Sequence, residues 1–451
     1  MEKLSFWEKT GFSIGELAGS GFWQAVLIFL PIFYTDVFGI PATVVGTLFV
    51  IVRIFDAIND PIMGTIADRT NHRWGKFRPW LVWSSVPFGI MAFLMFYSPD
   101  LGPSGKIVYA YVTYILMMII YTMAMIPFSA LSGVMTSDYL ERTSLNSYRF
   151  VLAFLGAMIV QGLFIPMVKF FGHGNDMIGY RWTLAIFGPL CILFFLIAFW
   201  STTERIKPVS DERNPIMDDL GDLLKNRPWV IVLLISLVTL IYISIRSAVQ
   251  TYYFKYYIDN EGMVSSFMVT GTMATIVAIL LTTWLTKVFD KKRLYMMCMF
   301  GVGVSSLFFY FIGPKNLFWL YTVNIIFNFM AGPSMPLLWS MMADAADYSE
   351  WKNGRRATGL VFSASTLAFK GGGAIGGAIA MFLLSYYGYQ ANMAQSVETL
   401  NGIRLMLSIW PAIGAFISVI VLAFYNLNAG LLKQIEQDLK ARKAQAGLAE
   451  S

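Results

Sequence analysis

The run "STTERIKPVSDERNPIMDDLGDLLKNRP", Ser201 to Pro228, is the longest polar stretch of the chain, and its position decides how the rest folds. Around it the sequence is apolar. Of 451 residues 57 % are hydrophobic and 13 % charged, with a mean hydropathy of +0.61. An average soluble domain carries about 25 % charged residues, so this is the composition of a membrane protein. A helix needs about 20 apolar residues to cross a hydrocarbon core. Six such stretches precede the polar run, at about residues 12–38, 44–66, 80–98, 107–132, 147–168 and 182–200, and six follow it, at about 229–257, 264–286, 294–312, 318–343, 359–384 and 402–425. The expected fold is an all-α membrane protein of twelve transmembrane helices in two six-helix bundles. Residues 1–200 form the first bundle, 201–228 a cytoplasmic linker, 229–425 the second bundle and 426–451 a cytoplasmic tail.

The first span is preceded by Glu2, Lys3, Glu8 and Lys9 and is too long for the core of a signal peptide, so it is expected to remain as a span. With both termini cytoplasmic, 23 of the 33 Lys and Arg residues fall on the inner side. Six fall on the outer side: Lys106, Lys169, Arg181, Lys255, Lys315 and Arg404. That is the asymmetry of the positive-inside rule, so the net charge of +6 reads as topology and not as a nucleic-acid footprint. Cys191 and Cys298 lie in apolar segments and only His72 and His173 exist, which points away from disulfides and zinc. Neither a nucleophile-His arrangement nor a nucleotide loop is present, so no enzyme and no cofactor is expected. Loop "GTIADRTNHRWGKFRPW" (Gly64 to Trp80) has a weak counterpart in "LTKVFDKKRLY" (Leu285 to Tyr295), each joining the second and third spans of its half. Two related six-span halves are the architecture of the major facilitator transporters, whose substrate site lies near the bilayer midplane.

Four basic residues are left inside spans: Arg53, Arg149, Arg246 and Lys370. The acids Glu16, Asp56 and Asp60 share the apolar region with them, and Asp344 and Asp347 stand at the inner end of span 10. An ionised group at a helix centre costs about 2.5–3.5 kcal/mol on insertion scales, so such residues face the bundle interior and mark ion or substrate paths. In "RIFDAINDPIMG" (Arg53 to Gly64), Asp56, Asn59 and Asp60 are spaced i, i+3 and i+4, which puts them on one helix face. Two carboxylates and an amide carbonyl offer hard oxygen donors for a monovalent cation such as Na⁺; a proton on either carboxylate is the other option. Pro61 removes a backbone donor beside them, and Thr122 of span 4 adds a hydroxyl. Asp56 can instead serve to neutralise Arg53 or Lys370. Lys370 opens "KGGGAIGGAIA", whose small residues allow close helix packing, and exchange of its charge for a bound ion would make a switch.

Taken together, "FYTDVFG", "RIFDAINDPIMG", "RWGKFRPW", "IPFSAL", "ADAADYSEW" and "FKGGGAIGG" resemble the glycoside-pentoside-hexuronide:cation symporter family, in order and at matching spacing from about Gly11 to Tyr425. The resemblance implies a coupling-cation site of Asp56, Asn59, Asp60 and Thr122, with Na⁺ favoured and Li⁺ or H⁺ possible. It also implies sugar-site or coupling roles for Tyr121, Arg149, Thr366 and Lys370. Three positions depart from the family's melibiose permease: Met125 stands for a sugar-binding Asp, Ser129 for a stacking Trp, and the helix 1 acid is Glu16 where relatives usually have Asp. Those changes speak against a galactoside. Arg246 adds a cation that would suit an anionic sugar, unless Glu16 pairs with it.

The expectation is therefore a symporter of the cell inner membrane, working as a monomer by alternating access, that carries a sugar inward with a cation. Arg142, Asp344, Asp347, Arg355 and Arg356 are expected to form a cytoplasmic gate. A transporter of another solute, such as a lysolipid, and a non-transporting sugar sensor are the rival readings.

Overall fold

The computed structural model describes residues 4–136, 139–205, 226–353 and 358–445. Among these residues the chain is helical, with no strand. Helix α1, Phe6–Ile28, continues through Leu30–Ile32 into a π-helical turn, Phe33–Val37. It is followed by α2 (Ala42–Arg69), α3 (Arg78–Met95), α4 (Pro103–Met135), α5 (Tyr139–Gly172) and α6 (Asp176–Ser201). Beyond the linker come α7 (Arg227–Tyr252), which also ends in a π turn (Tyr253–Tyr257), α8 (Met263–Val288), α9 (Lys291–Phe311) and α10 (Leu317–Ala331, continued by Ser334–Asn353). Then follow α11 (Thr358–Tyr386), α12 (Val397–Leu407, continued by Ile409–Ala423) and a tail helix α13 (Ala429–Gln445). Each of the twelve expected spans coincides with one of α1 to α12. Ten are long and apolar enough to cross a bilayer outright, and α1 with its continuation, bent by 48°, is an eleventh. Helix α3, 18 residues long with Arg78 at its start and Pro79 and Pro87 within it, is not among them.

Local chemistry explains the helix ends. Ser5 and Glu8 close a capping box at the start of α1, each side chain bonded to the other's backbone N–H. At the start of α3, the Glu204 carboxylate accepts the N–H groups of Lys76, Phe77 and Arg78 at 2.7–2.8 Å, satisfying donors that a helix terminus leaves open. Gly75, at φ +113, lets that carboxylate approach: a Cβ there would lie 2.5 Å from it. "RWGKFRPW" is thus a clasp that fastens loop 2/3 to the end of α6, with Arg78 also donating to the Phe199 carbonyl at 2.9 Å.

Helix α2 shows how a bilayer sorts a sequence. Ile51, Ile54, Ile58, Ile62 and Ile66, spaced three or four apart, are all exposed and form its lipid-facing stripe. Asp56 and Asp60 stand two residues after Ile54 and Ile58, about 200° around the helix, so they lie on the opposite face. Asp56 is 2 % exposed.

The structure clusters into two compact units. The first comprises Met1–Ser210 together with Ser247–Val269 and Gly377–Gly402; the second comprises Asp211–Arg246, Thr270–Gly376 and Ile403–Ser451. The ends of α7 and α11 join the first unit because polar contacts fasten them to the end of α1. In the second unit the glycine motif serves packing, as small residues do: a Cβ on Gly372 would meet the Leu237 carbonyl of α7 at 2.8 Å, and one on Gly376 the Ile241 carbonyl at 2.4 Å.

Candidate functional site

Two polar clusters lie in the first unit, both built on α4. In the one nearer the start of α4, the Thr122 hydroxyl of that helix stands 3.2 Å from Oδ1 of Asp56 and 3.2 Å from Oδ1 of Asp60, both on α2. One hydroxyl thus stands between the two carboxylates. Arg53 Nη1 donates to the other oxygen of Asp56 at 2.9 Å, and its guanidinium lies 5.1 Å above the Trp23 ring of α1. The Asn59 Nδ2 atom is buried without a hydrogen-bond partner, a state that costs about 1–3 kcal/mol when nothing compensates it. Pro61, inside α2, leaves the Ala57 carbonyl without its helical donor. Two carboxylates and a hydroxyl from two helices thus meet at one place.

In the other cluster, Arg149 of α5 donates through Nε to Glu16 Oε2 at 2.5 Å and through Nη2 to Ser129 Oγ at 3.1 Å. Ser20, one turn along α1, donates to Glu16 Oε1 at 2.6 Å, and the Arg149 guanidinium lies 5.3 Å over the Phe128 ring. Glu16 is 7 % exposed. This settles the partner of Glu16 as Arg149 and not Arg246.

Helix α4 connects the two clusters. Thr122, Met125 and Ser129 are spaced i, i+3 and i+7 on one face, so the clusters stand about 10 Å apart along the helix. Met125 fills the space between them: a Cβ on Gly19 would lie 2.4 Å from its sulfur. Tyr121, next to Thr122, stacks obliquely on Trp23 with centroids 5.6 Å apart, so Trp23 touches both Tyr121 and Arg53.

The remaining expected residues fall elsewhere. Arg246 is 3 % exposed inside the second unit, held between Phe309 and Phe327 with its guanidinium 4.4 and 3.9 Å from the ring centroids. Its Nη1 donates to the Leu407 carbonyl at 2.8 Å. The helical donor for that carbonyl would be residue 411, which is Pro411 and has no N–H, so this arginine mends the break in α12. Lys370 lies half-buried in the second unit; the Thr366 side chain lies outside the described residues. Of the expected gate, Asp344 pairs with Lys291 of α9, Nζ to Oδ2 at 2.7 Å, a partner that was not foreseen. Asp347 is half-buried on the same helix, while the Arg142 side chain and Arg355 and Arg356 lie outside the described residues. Ser20, Glu204 and the surroundings of Asp36 carried no expectation at all. Their partners are far off in sequence, and one Ser or Glu gives no periodic signal.

Among the described residues ten or eleven helices can cross a bilayer and charged side chains cluster inside the first unit; together with the family match, this makes the protein a multi-pass membrane transporter of the major facilitator fold, not an enzyme. Residues 11–429 match the family described as MFS/sugar transport protein, and the chain belongs to the glycoside-pentoside-hexuronide:cation symporter family of that superfamily. It is 35 % identical over 443 residues to the isoprimeverose transporter of Lactiplantibacillus pentosus, covering 97 % of this chain and 92 % of that one. It is 34 % identical over 444 residues to the inner membrane symporter YicJ of Escherichia coli (strain K12), covering 98 % and 96 %. A crystal structure of a mutant form of the nucleoside transporter NupG superposes with a TM-score of 0.68 at 14 % identity, over 92 % of this chain and 99 % of that one, which supports the fold alone.

Proposed function

We propose that this protein carries a neutral sugar into the cell together with Na⁺, with both termini cytoplasmic, the cation held by Asp56, Asn59, Asp60 and Thr122 and the sugar bound beside Glu16, Ser129 and Arg149. The observation that carries this reading is the Thr122 hydroxyl placed 3.2 Å from both carboxylates. Oxygens set at right angles around a hard cation at about 2.3–2.6 Å lie about 3.3–3.7 Å apart, so a slight widening of the 3.2 Å separations is all that seating an ion requires. Hard oxygens without sulfur or imidazole favour an alkali cation over a transition metal; Li⁺ would use the same donors, and H⁺ would use a carboxylate alone.

Coupling follows from the shared helix. A cation between Asp56 and Asp60 removes their mutual repulsion and fixes Thr122. Ser129 stands two turns further along the same face of α4, so its position, and through it that of Arg149, is set by the same event. By linkage the sugar then strengthens cation binding by the same factor. Entry of one positive charge draws about 2.3 kcal/mol per 100 mV from the membrane potential. A neutral sugar is favoured because Arg149, the cation at this cluster, is already neutralised by Glu16.

Uptake by the purified protein in liposomes tests this. An inward Na⁺ gradient should accumulate a labelled neutral glycoside and leave the corresponding uronide at equilibrium. Accumulation that follows a proton gradient whatever the Na⁺, or a preference for the uronide, would contradict it.

A further inference from the structure

The two first helices of the halves end in the same unusual way. In α1 the π turn closes with Phe38 N–H donating to the Phe33 carbonyl at 2.8 Å and Ile40 N–H to that of Tyr34 at 2.8 Å. In α7 the equivalent bonds run from Ile258 to Tyr253 and from Asn260 to Phe254, both at 3.0 Å. Single π turns inside α-helices are rare and recur at functional positions, where they re-aim the side chains of one turn. The turn in α1 carries Asp36, and the turn in α7 carries Lys255 and Tyr256. All of these lie in the first unit.

Asp36 is buried, at 8 % exposure, and collects donors from three spans. Lys255 and Tyr256 donate to its Oδ2, and Tyr389, just beyond α11, donates to Oδ1. Thr35 donates to Oδ1 at 2.8 Å and shares a 2.8 Å bond with the Tyr252 hydroxyl beneath. Asn392, in a left-handed conformation at φ +57, spans the top: its amide donates to the Asp36 carbonyl, its carbonyl oxygen accepts from Lys255 at 2.9 Å, and its N–H donates to the Tyr256 hydroxyl at 3.0 Å. Burial above all, then the nearness of Tyr252 and Asp36, raises the pKa of the Tyr389 hydroxyl, so it stays a donor. Close by, at the same end of the spans, Lys169 of α5 is paired with Glu261 of the α7–α8 loop.

We infer that Asp36 is the keeper of a latch that closes the transport path at the end of α1 away from the N-terminus, and that opening this end requires Lys255, Tyr256, Tyr389 and Asn392 to let go of it. The cluster takes no part in the cation or sugar clusters, since roughly twenty residues of α1, about 30 Å of helix, separate Asp36 from Glu16. It is also built to be released. Lys255, Tyr256 and Tyr389 are half-exposed, so water can take over each bond as it breaks, whereas a permanent junction is apolar and dry, as where Gly372 and Gly376 meet α7. Because a latch has meaning only in alternating access, the inference rests on the function proposed above.

Hydrogen exchange in lipid nanodiscs tests it. Asp36→Asn and Lys255→Met should each speed exchange in residues 386–396 by about tenfold or more, and the double variant should add nothing, because one released latch cannot be released twice. Tyr389→Phe, which removes one bond and keeps the ring, should give a smaller increase in a fold that is not at risk. In the unaltered protein, exchange in 386–396 should change when Na⁺ and a sugar that calorimetry shows to bind are both present. Exchange unchanged in all three variants, additive effects in the double variant, or no response to a ligand that demonstrably binds would each overturn the latch. If calorimetry shows no sugar binding at all, the proposed substrate is wrong, while the variants still report on the latch.

Discussion

Asp60→Asn is expected to abolish gradient-driven accumulation while leaving sugar binding measurable. Coupling energies between sites are commonly about 1–3 kcal/mol, so Na⁺ should raise sugar affinity by roughly 5- to 150-fold in the unaltered protein and by nothing in the variant. Asp60 is the carboxylate to change. It is only half-buried and shares Thr122 with Asp56, so an isosteric amide keeps the hydroxyl's partner and removes the charge. Asp56→Asn should lose coupling too, but it also takes the partner from Arg53, whose ion pair is 2.9 Å long and largely buried, so a loss of stability would confuse its reading. Calorimetric titration of sugar with and without Na⁺, alongside a thermal melt, distinguishes the two cases. Retention of Na⁺ enhancement in Asp60→Asn would remove the cluster from the coupling site.

Arg149→Ala should be the most damaging change to the other cluster. It leaves the Glu16 carboxylate, 7 % exposed, with Ser20 alone. Removing one partner of a buried ion pair costs about 3–5 kcal/mol, enough to lower the melting temperature markedly, and sugar binding should be lost. Adding Glu16→Gln removes the stranded charge, so the double variant should recover most of the stability without recovering binding. Arg149→Lys should keep the charge and the fold, but lose the bond to Ser129 because an ammonium cannot reproduce the planar fork, with a clear fall in sugar affinity. If the double variant binds sugar normally, Arg149 and Glu16 only hold α1 and α5 together.

The fold was legible because the bilayer imposes one rule on every span, and the counting of apolar stretches around Ser201–Pro228 applied that rule twelve times. The Asp56, Asn59, Asp60 and Thr122 group was legible for a related reason: charge in an apolar helix is expensive, and i, i+3, i+4 spacing fixes which residues share a face. Partners between helices were not legible. Arg246 donates to the carbonyl that Pro411 leaves open in α12, a relation across 161 residues that the sequence does not announce. Lys255 counted only towards topology, and Asp36 was part of a motif without a role. Only the folded chain brings the two together, through π turns that no periodicity announces.

Reciprocal linkage between Na⁺ and sugar in the unaltered protein is the most direct measurement of all. Titrations of a neutral glycoside at several Na⁺ concentrations, and of Na⁺ at several glycoside concentrations, should show each ligand tightening the other by one common factor. Sugar affinity that ignores Na⁺ and follows pH alone would mean that Asp56 and Asp60 serve a proton, and that sodium has no part in this transporter.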